Sequence, residues 1–137
     1  MTNKQKGYMG WLLSEPVRAA LLEKFPPVYT NVVAHHCTLK FGVDGDTPLP
    51  QVTQGVVVGM ADDHNGVQAL VLSIGGTTRR PDGGTYHITW SLAPGRKPVE
   101  SNEVIRQQGW DAVSPPIGFN LVPKFFPFPG KNKLTTC

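Results

Sequence analysis

Two short segments of the chain repeat the pattern His-x-Thr, once as His36 and Thr38 and once as His87 and Thr89. Both segments alternate polar and apolar residues, which is the period of a β-strand, so each histidine shares a strand face with its threonine, about 6.6 Å away. The four histidines and eleven threonines of the chain would give about 0.3 such matches by chance. Imidazoles titrate near neutral pH, so two such strands side by side would form a cleft suited to acid–base chemistry.

Length and composition predict one domain over residues 1–137. Hydrophobic residues make up 39% of the chain and charged residues 17%, and no apolar run is long enough to cross a bilayer. The N-terminus lacks the long apolar segment of a secretory signal, and two cysteines, Cys37 and Cys137, do not make a disulfide framework. We therefore expect no membrane role and a cytoplasmic location.

The charge of the chain favours small anionic ligands. A net charge of +3 and a pI near 9.0 favour encounters with anions. Adjacent basic residues occur only at Arg79-Arg80 and Arg96-Lys97, so the sequence lacks the dense basic surface of a protein that follows long duplex nucleic acid. A small phosphorylated ligand is the simpler prediction.

Helix and strand signals place the two motifs in an α+β or mixed-sheet domain. Ser14 and Pro16 favour a helix start, and Pro26-Pro27 ends that helix. In chain order we predict a strand over 8–13, a helix over 14–25, a strand over 31–41, a hairpin from 56–61 and 68–74, a strand over 85–92, a helix capped by Ser101 and ending at Gly109, and an edge strand within 117–128.

The two motif segments resemble the paired signatures of the two-histidine (2H) phosphoesterase superfamily, which includes LigT-like RNA ligases, cyclic phosphodiesterases and viral enzymes. They are VAHHCTLKF over residues 33–41 and YHITWSL over residues 86–92. The resemblance implies a bilobal α+β fold, with two αβ lobes around a central cleft and one His-x-Thr strand from each lobe. The two histidines are 51 positions apart, which is short for the family and implies a trimmed second lobe.

The resemblance implies roles for the four motif residues in phosphodiester cleavage without a metal or other cofactor. One histidine would take a proton from the attacking oxygen and the other would give a proton to the leaving oxygen. Thr38 and Thr89 would bind the non-bridging oxygens of the phosphate. We therefore predict His36 and His87 as catalytic residues, and the sequence leaves open which of them is the base.

Further residues are candidates for contacts with the substrate. Lys40 shares the predicted face of the first motif, although a solvated lysine at a strand end is an equal alternative, and Thr85 and Ser91 share the face of the second motif. The remaining candidates have simpler explanations that we favour: exposure for Arg79 and Arg80, and a place in the core for the aromatic residues Tyr8, Trp11 and Phe119.

The other two histidines lie outside the His-x-Thr motifs, and the sequence gives little support for a metal site. Strand alternation places His35 on the opposite face from His36, where we expect it to be packed or capped. His64 lies in a turn beside two aspartates and should be on the surface. A zinc site drawn from His35, His36, Cys37, His64 and His87 has no compact zinc spacing, so we expect none.

The leading hypothesis is a phosphodiesterase that hydrolyses a small nucleotide: a 2′,3′-cyclic phosphate, a 2′-5′ linkage as in 2′-5′ oligoadenylate, or a cyclic oligonucleotide messenger. Viral members of the 2H superfamily destroy nucleotide messengers of host immunity, so the resemblance implies an anti-defence enzyme in the host cytoplasm if the chain is viral. The alternative is a module that sequesters a nucleotide or RNA end without cleaving it. A third hypothesis is RNA end-joining.

Overall fold

The computed structural model describes residues 5–129 and has an α+β fold. Its elements are β1 (Lys6–Leu12), α1 (Glu15–Lys24), β2 (Asn31–Val32), β3 (His36–Asp44), β4 (Gln54–Asp62), β5 (Val67–Ser73), β6 (His87–Leu92), α2 (Glu100–Gln108), β7 (Asp111–Asn120) and β8 (Val122–Pro127). Neither helix is long and apolar enough to cross a membrane.

The strands of the described region belong to one antiparallel sheet with the order β7-β4-β5-β6-β3-β1-β8, and the short β2 pairs with β6. The two motif strands, β3 and β6, are therefore neighbours near the middle of the sheet. Its outer strands, β7 and β8, are separated in the chain by Leu121 alone. The end of β7 and the start of β8 are therefore close in space, so the two edges of the sheet approach each other at that point. The sheet must curl to allow this, and the buried Leu121 packs into its core.

Apolar side chains form two clusters. The larger cluster contains Trp11, Cys37, Ile88 and Trp90 from the sheet, and the helix α1 contributes Leu21. The smaller cluster packs α2 against β5 and the end of β6, and it includes Val104, Ile105, Ala69, Val71 and Leu92. Because neighbouring residues of a strand point to opposite faces, the motif residues on either side of Cys37 and Ile88 point away from the larger cluster.

Two local predictions from the sequence are confirmed. The helix α1 has Ser14 at its N-cap and a proline in its first turn, and it ends before the Pro-Pro pair. The strands β4 and β5 form a hairpin, and Gly66 in its turn has φ +113°, a conformation that suits glycine. The sequence therefore determines these two segments through local backbone preferences.

Three local predictions are wrong. The strand predicted over 31–41 is interrupted, because Ala34 has φ +43° and turns the chain between β2 and β3. The N-cap of α2 is Val99, and Ser101 lies inside the helix and is buried. The tail forms two strands at opposite edges of the sheet, β7 beside β4 and β8 beside β1, where we expected one edge strand.

The close approach of β1 to the first motif strand leads to a stability prediction. A methyl group on Gly10 would overlap the backbone carbonyl oxygen of Cys37 and lie 2.9 Å from the backbone nitrogen of Leu39, and neither atom can rotate away. We expect Gly10→Ala to lower the free energy of unfolding by about 1–3 kcal/mol or more, measured by urea denaturation. The matched control is Gly118→Ala in β7, where a methyl group meets nothing within 4 Å. Equal stability of the two variants would contradict this packing.

Candidate active site

The two motifs meet where β3 pairs with β6. The register pairs Cys37 with Ile88, and both side chains are buried in the larger cluster. Continuing this antiparallel register places His36 opposite Thr89 and Thr38 opposite His87, with Cβ atoms of opposite residues about 5 Å apart. The structure therefore brings the two histidines and two threonines together on one face of the sheet, and all four are buried.

His87 has a fixed tautomer. Its side chain is 1% exposed, and Nδ1 lies 2.8 Å from the carbonyl oxygen of Thr85. A carbonyl oxygen only accepts hydrogen bonds, so Nδ1 carries the proton and Nε2 keeps its lone pair. Within the described region Nε2 has no hydrogen-bond partner. This buried nitrogen therefore has an unused acceptor lone pair.

His36 lies beside His87 and aromatic rings. It is 8% exposed, and its ring centroid is 5.3 Å from that of Tyr8 and 5.2 Å from that of Phe126. Burial, together with the smaller effects of positive charge on His35 and His87, lowers its pKa to about 4. Burial also lowers the pKa of His87 to about 4, against the opposing effect of the Thr85 hydrogen bond. Both imidazoles are therefore neutral at pH 7 when no anion is bound.

The Thr89 hydroxyl is held by the start of α2. It donates to the carbonyl oxygen of Pro98 at 3.2 Å, and it lies 2.8 Å from the hydroxyl of Ser101. Since the Thr89 proton is used by the carbonyl, Ser101 donates to Thr89. Ser101 therefore positions Thr89, a role that differs from the helix cap expected from the sequence.

A cavity of about 330 Å³ opens beside His87, lined among others by Arg80, Thr85, Asn102 and Arg106. Arg80 is 9% exposed: its Nε donates to Asp82 at 2.9 Å and its Nη2 to Asn102 at 3.3 Å. The sequence favoured exposure for both Arg79 and Arg80. Arg79 is exposed, as predicted, but Arg80 is buried. A guanidinium fixed at the wall of this cavity suits an anionic ligand.

Three other candidates lie apart from this cavity. Lys40 is exposed and borders a separate cavity of about 400 Å³ with Asp82. Ser91 donates to Gln68 at 2.5 Å and accepts from the backbone nitrogen of Tyr29, so its hydroxyl is used in packing the loop after α1. Trp11 is a core residue whose Nε1 donates to the carbonyl oxygen of Val52 at 2.7 Å.

The remaining aromatic candidates differ in position. Tyr8 is buried, as favoured from the sequence, but it contacts His36 and stacks on Phe126 with ring centroids 4.9 Å apart. Phe119 packs against the larger cluster and borders a cavity at the β4–β7 edge of the sheet. Of the two, only Tyr8 therefore belongs to the surroundings of the motif histidines.

Several residues at this site were not predicted from the sequence. His35 was expected on the opposite face, yet its Nδ1 lies 3.0 Å from Nδ1 of His36, because the turn at Ala34 takes His35 out of the strand. Its side chain is exposed, whereas we expected it to be packed or capped. No pattern in the sequence points to Asn102 or Phe126, because α2 and the edge strand β8 bring these residues near the site only in the folded protein. His64 is exposed in its turn, as predicted.

Among residues 5–129, no three His, Cys, Asp or Glu side chains are grouped so that they could hold a metal ion. No protein-family model matches the chain, and no curated protein or solved structure matches it significantly. The case for a function therefore depends on the geometry of this site.

Proposed function

We propose that the protein is a metal-independent phosphodiesterase of the 2H type that hydrolyses a small nucleotide. The observation that carries this proposal is the pairing of β3 with β6, which places His36, Thr38, His87 and Thr89 on one face of the sheet. A cavity with a buried arginine lies beside His87. Two imidazoles, two hydroxyls and a guanidinium supply the acid–base and anion-binding groups that phosphodiester cleavage needs.

The tautomer of His87 supports its assignment as the general base. Its Nε2 lone pair would take the proton of the attacking oxygen, and the resulting imidazolium would keep its Nδ1 hydrogen bond to Thr85. His36 would donate a proton to the leaving oxygen from the other side of phosphorus. A bound phosphodiester anion favours the charged form of a nearby imidazole, so substrate binding would help to protonate His36.

The sheet order is compatible with the two lobes of the 2H fold. The half β7-β4-β5-β6 supplies His87 and packs against α2, and the half β3-β1-β8 supplies His36. We infer that each half corresponds to one lobe and that the cleft between the lobes lies where β3 meets β6. The two halves share a continuous sheet here, which would keep the lobes close together.

The cavity supports a small substrate. A volume of about 330 Å³ suits part of a nucleotide and leaves no room for a duplex. Arg80 would face the phosphate, and the Asn102 amide would offer a donor and an acceptor to a sugar or base. We therefore propose 2′,3′-cyclic nucleotides, 2′-5′ oligoadenylates and cyclic oligonucleotides as the substrate class, with host immune messengers among them.

The test is a substrate panel. Purified protein with EDTA present is incubated with 2′,3′-cyclic nucleotides, 2′-5′ oligoadenylates, and cyclic di- and trinucleotides, and products are separated by chromatography. We expect selective cleavage of one class by the unaltered protein and none by His36→Ala. Cleavage of no class, or equal cleavage by both proteins, would contradict the proposal.

The same panel tests a nucleotide-sequestering protein as the second candidate. The observation that favours it is the Thr89 hydroxyl, which already donates to the Pro98 carbonyl and must change partners before it can bind phosphate. Tight binding without cleavage, measured by calorimetry and retained in His36→Ala, would establish sequestration.

A further inference from the structure

Two histidines that are neighbours in the chain share a hydrogen bond. Nδ1 of His35 and Nδ1 of His36 are 3.0 Å apart, and the two rings are nearly perpendicular, at 82°. One of the two nitrogens must carry the proton of this bond and the other must accept it. His35 is exposed to solvent, whereas His36 is 8% exposed. The pair therefore connects a buried imidazole with solvent through one hydrogen bond.

The fold holds His35 in this position with a strained backbone. Ala34 is fully buried and has φ +43°, a left-handed conformation that costs a non-glycine residue roughly 1–2 kcal/mol. Arg18 of α1 donates from Nε to the Ala34 carbonyl oxygen at 2.9 Å and from Nη2 to the Val33 carbonyl oxygen at 3.4 Å. The backbone nitrogen of Leu13 donates to the His35 carbonyl oxygen at 3.0 Å. Helix α1 and the residue that follows β1 thus fix the turn that brings His35 to His36.

The charged and titratable groups around the pair come from several elements. Partial burial lowers the pKa of His35, and the positive charges of Arg18 on α1 and Lys124 on β8 lower it further. On the His36 side, Tyr8 of β1 makes ring contact and His87 of β6 adds positive charge when protonated. The resting pair is therefore neutral and shares a single proton along the line between the two Nδ1 atoms.

We propose that His35 is a positioning residue that passes protons between solvent and His36, an inference that rests on the proposed phosphodiesterase function. A solvent proton binds Nε2 of His35. The Nδ1 proton of His35 then moves to Nδ1 of His36, and the Nε2 proton of His36 moves to the leaving oxygen. At the end His35 is neutral with a proton on Nε2, His36 is neutral with a proton on Nδ1, and the leaving oxygen has become a hydroxyl. One proton enters and one is delivered, so the step balances.

The kinetic test compares two substitutions of His35. With the best substrate from the panel, we expect His35→Ala to lower kcat roughly 10-fold to 100-fold with little change in KM. The alkaline decline of kcat/KM should begin at lower pH, because His36 must then be protonated without the relay. Added imidazole should restore kcat, since His35 is exposed. His35→Asn keeps a hydrogen-bonding group near the position of Nδ1 but cannot relay a proton. Compared with His35→Ala, it should therefore have higher thermal stability but an equally low kcat.

A second readout does not need activity. Imidazole nitrogen shifts measured by NMR should show that the tautomer populations of His36 change in His35→Ala, while His87 keeps its proton on Nδ1 because its partner is the Thr85 carbonyl. The matched control is His64→Ala, which removes an exposed histidine from the β4–β5 turn and should change neither readout.

The outcomes separate the two proposals. If the protein cleaves no nucleotide but the tautomer populations of His36 change in His35→Ala, the proposed phosphodiesterase function and the catalytic role of the relay are both contradicted. The proton-sharing pair is then still supported. An active His35→Ala variant with an unchanged pH profile, or an unchanged His36 tautomer, overturns the relay alone.

Discussion

Replacing His87 with asparagine should lower kcat by about 10²–10⁴-fold while KM changes little. The asparagine amide nitrogen lies near the position of imidazole Nδ1, so it can still donate to the Thr85 carbonyl oxygen. It has no atom at the position of Nε2, the buried nitrogen without a partner in the described region. The variant therefore removes the proposed base and keeps the hydrogen bond that orients it. Steady-state kinetics on the substrate identified by the panel measures the effect.

The control for this variant is His64→Asn, which makes the same chemical change at an exposed turn. It should retain full activity. Circular dichroism and thermal unfolding of both variants show whether each is folded at the assay temperature. A folded His87→Asn protein with activity within about fivefold of the unaltered protein would contradict His87 as the base, because general base catalysis contributes more than that.

Acidification below pH 7 should destabilise the protein through its buried histidines. Burial lowers the pKa of His36 and of His87 to about 4, whereas unfolded histidine titrates near 6.5. Between these values the unfolded chain binds more protons than the folded one, so the free energy of unfolding falls as pH falls. We expect a loss of about 2 kcal/mol for each of the two histidines between pH 7 and pH 5, measured by urea denaturation at each pH.

The acid effect of the histidines is separable from that of the carboxylates. Burial raises the pKa of Asp82, but hydrogen bonds from Arg80 and from backbone N–H groups outweigh it and hold this pKa below its usual value of 3.8, so its contribution to stability is lost only at lower pH. In the double variant His36→Asn/His87→Asn, most of the stability difference between pH 7 and pH 5 should disappear, and the remainder should come from His35, whose pKa is also lowered by burial. An unchanged slope in that variant would show that other groups cause the acid destabilisation.

Some of the site could be predicted from the sequence because it depends on local periodicity. The alternation of residues 36–41 and 87–92 fixes which side chains share a strand face, and this holds whichever strand is the neighbour. The prolines after Phe25 and the glycine at position 66 fix a helix end and a turn through the few backbone angles these residues favour. The pairing of motif residues on a common face is therefore a property of the sequence.

The other features of the site depend on contacts between distant parts of the chain. His35 reaches His36 because Arg18, on a helix earlier in the chain, holds the left-handed turn at Ala34, and no local pattern predicts such a conformation for alanine. Arg80 is buried because Asn102 of α2 and Asp82 enclose it. Only the tertiary structure decided that β3 pairs with β6, which elements cover each face and how far each imidazole is desolvated. Strand pairing and burial depend on the free energy of the whole fold, whereas periodicity is a property of each segment alone.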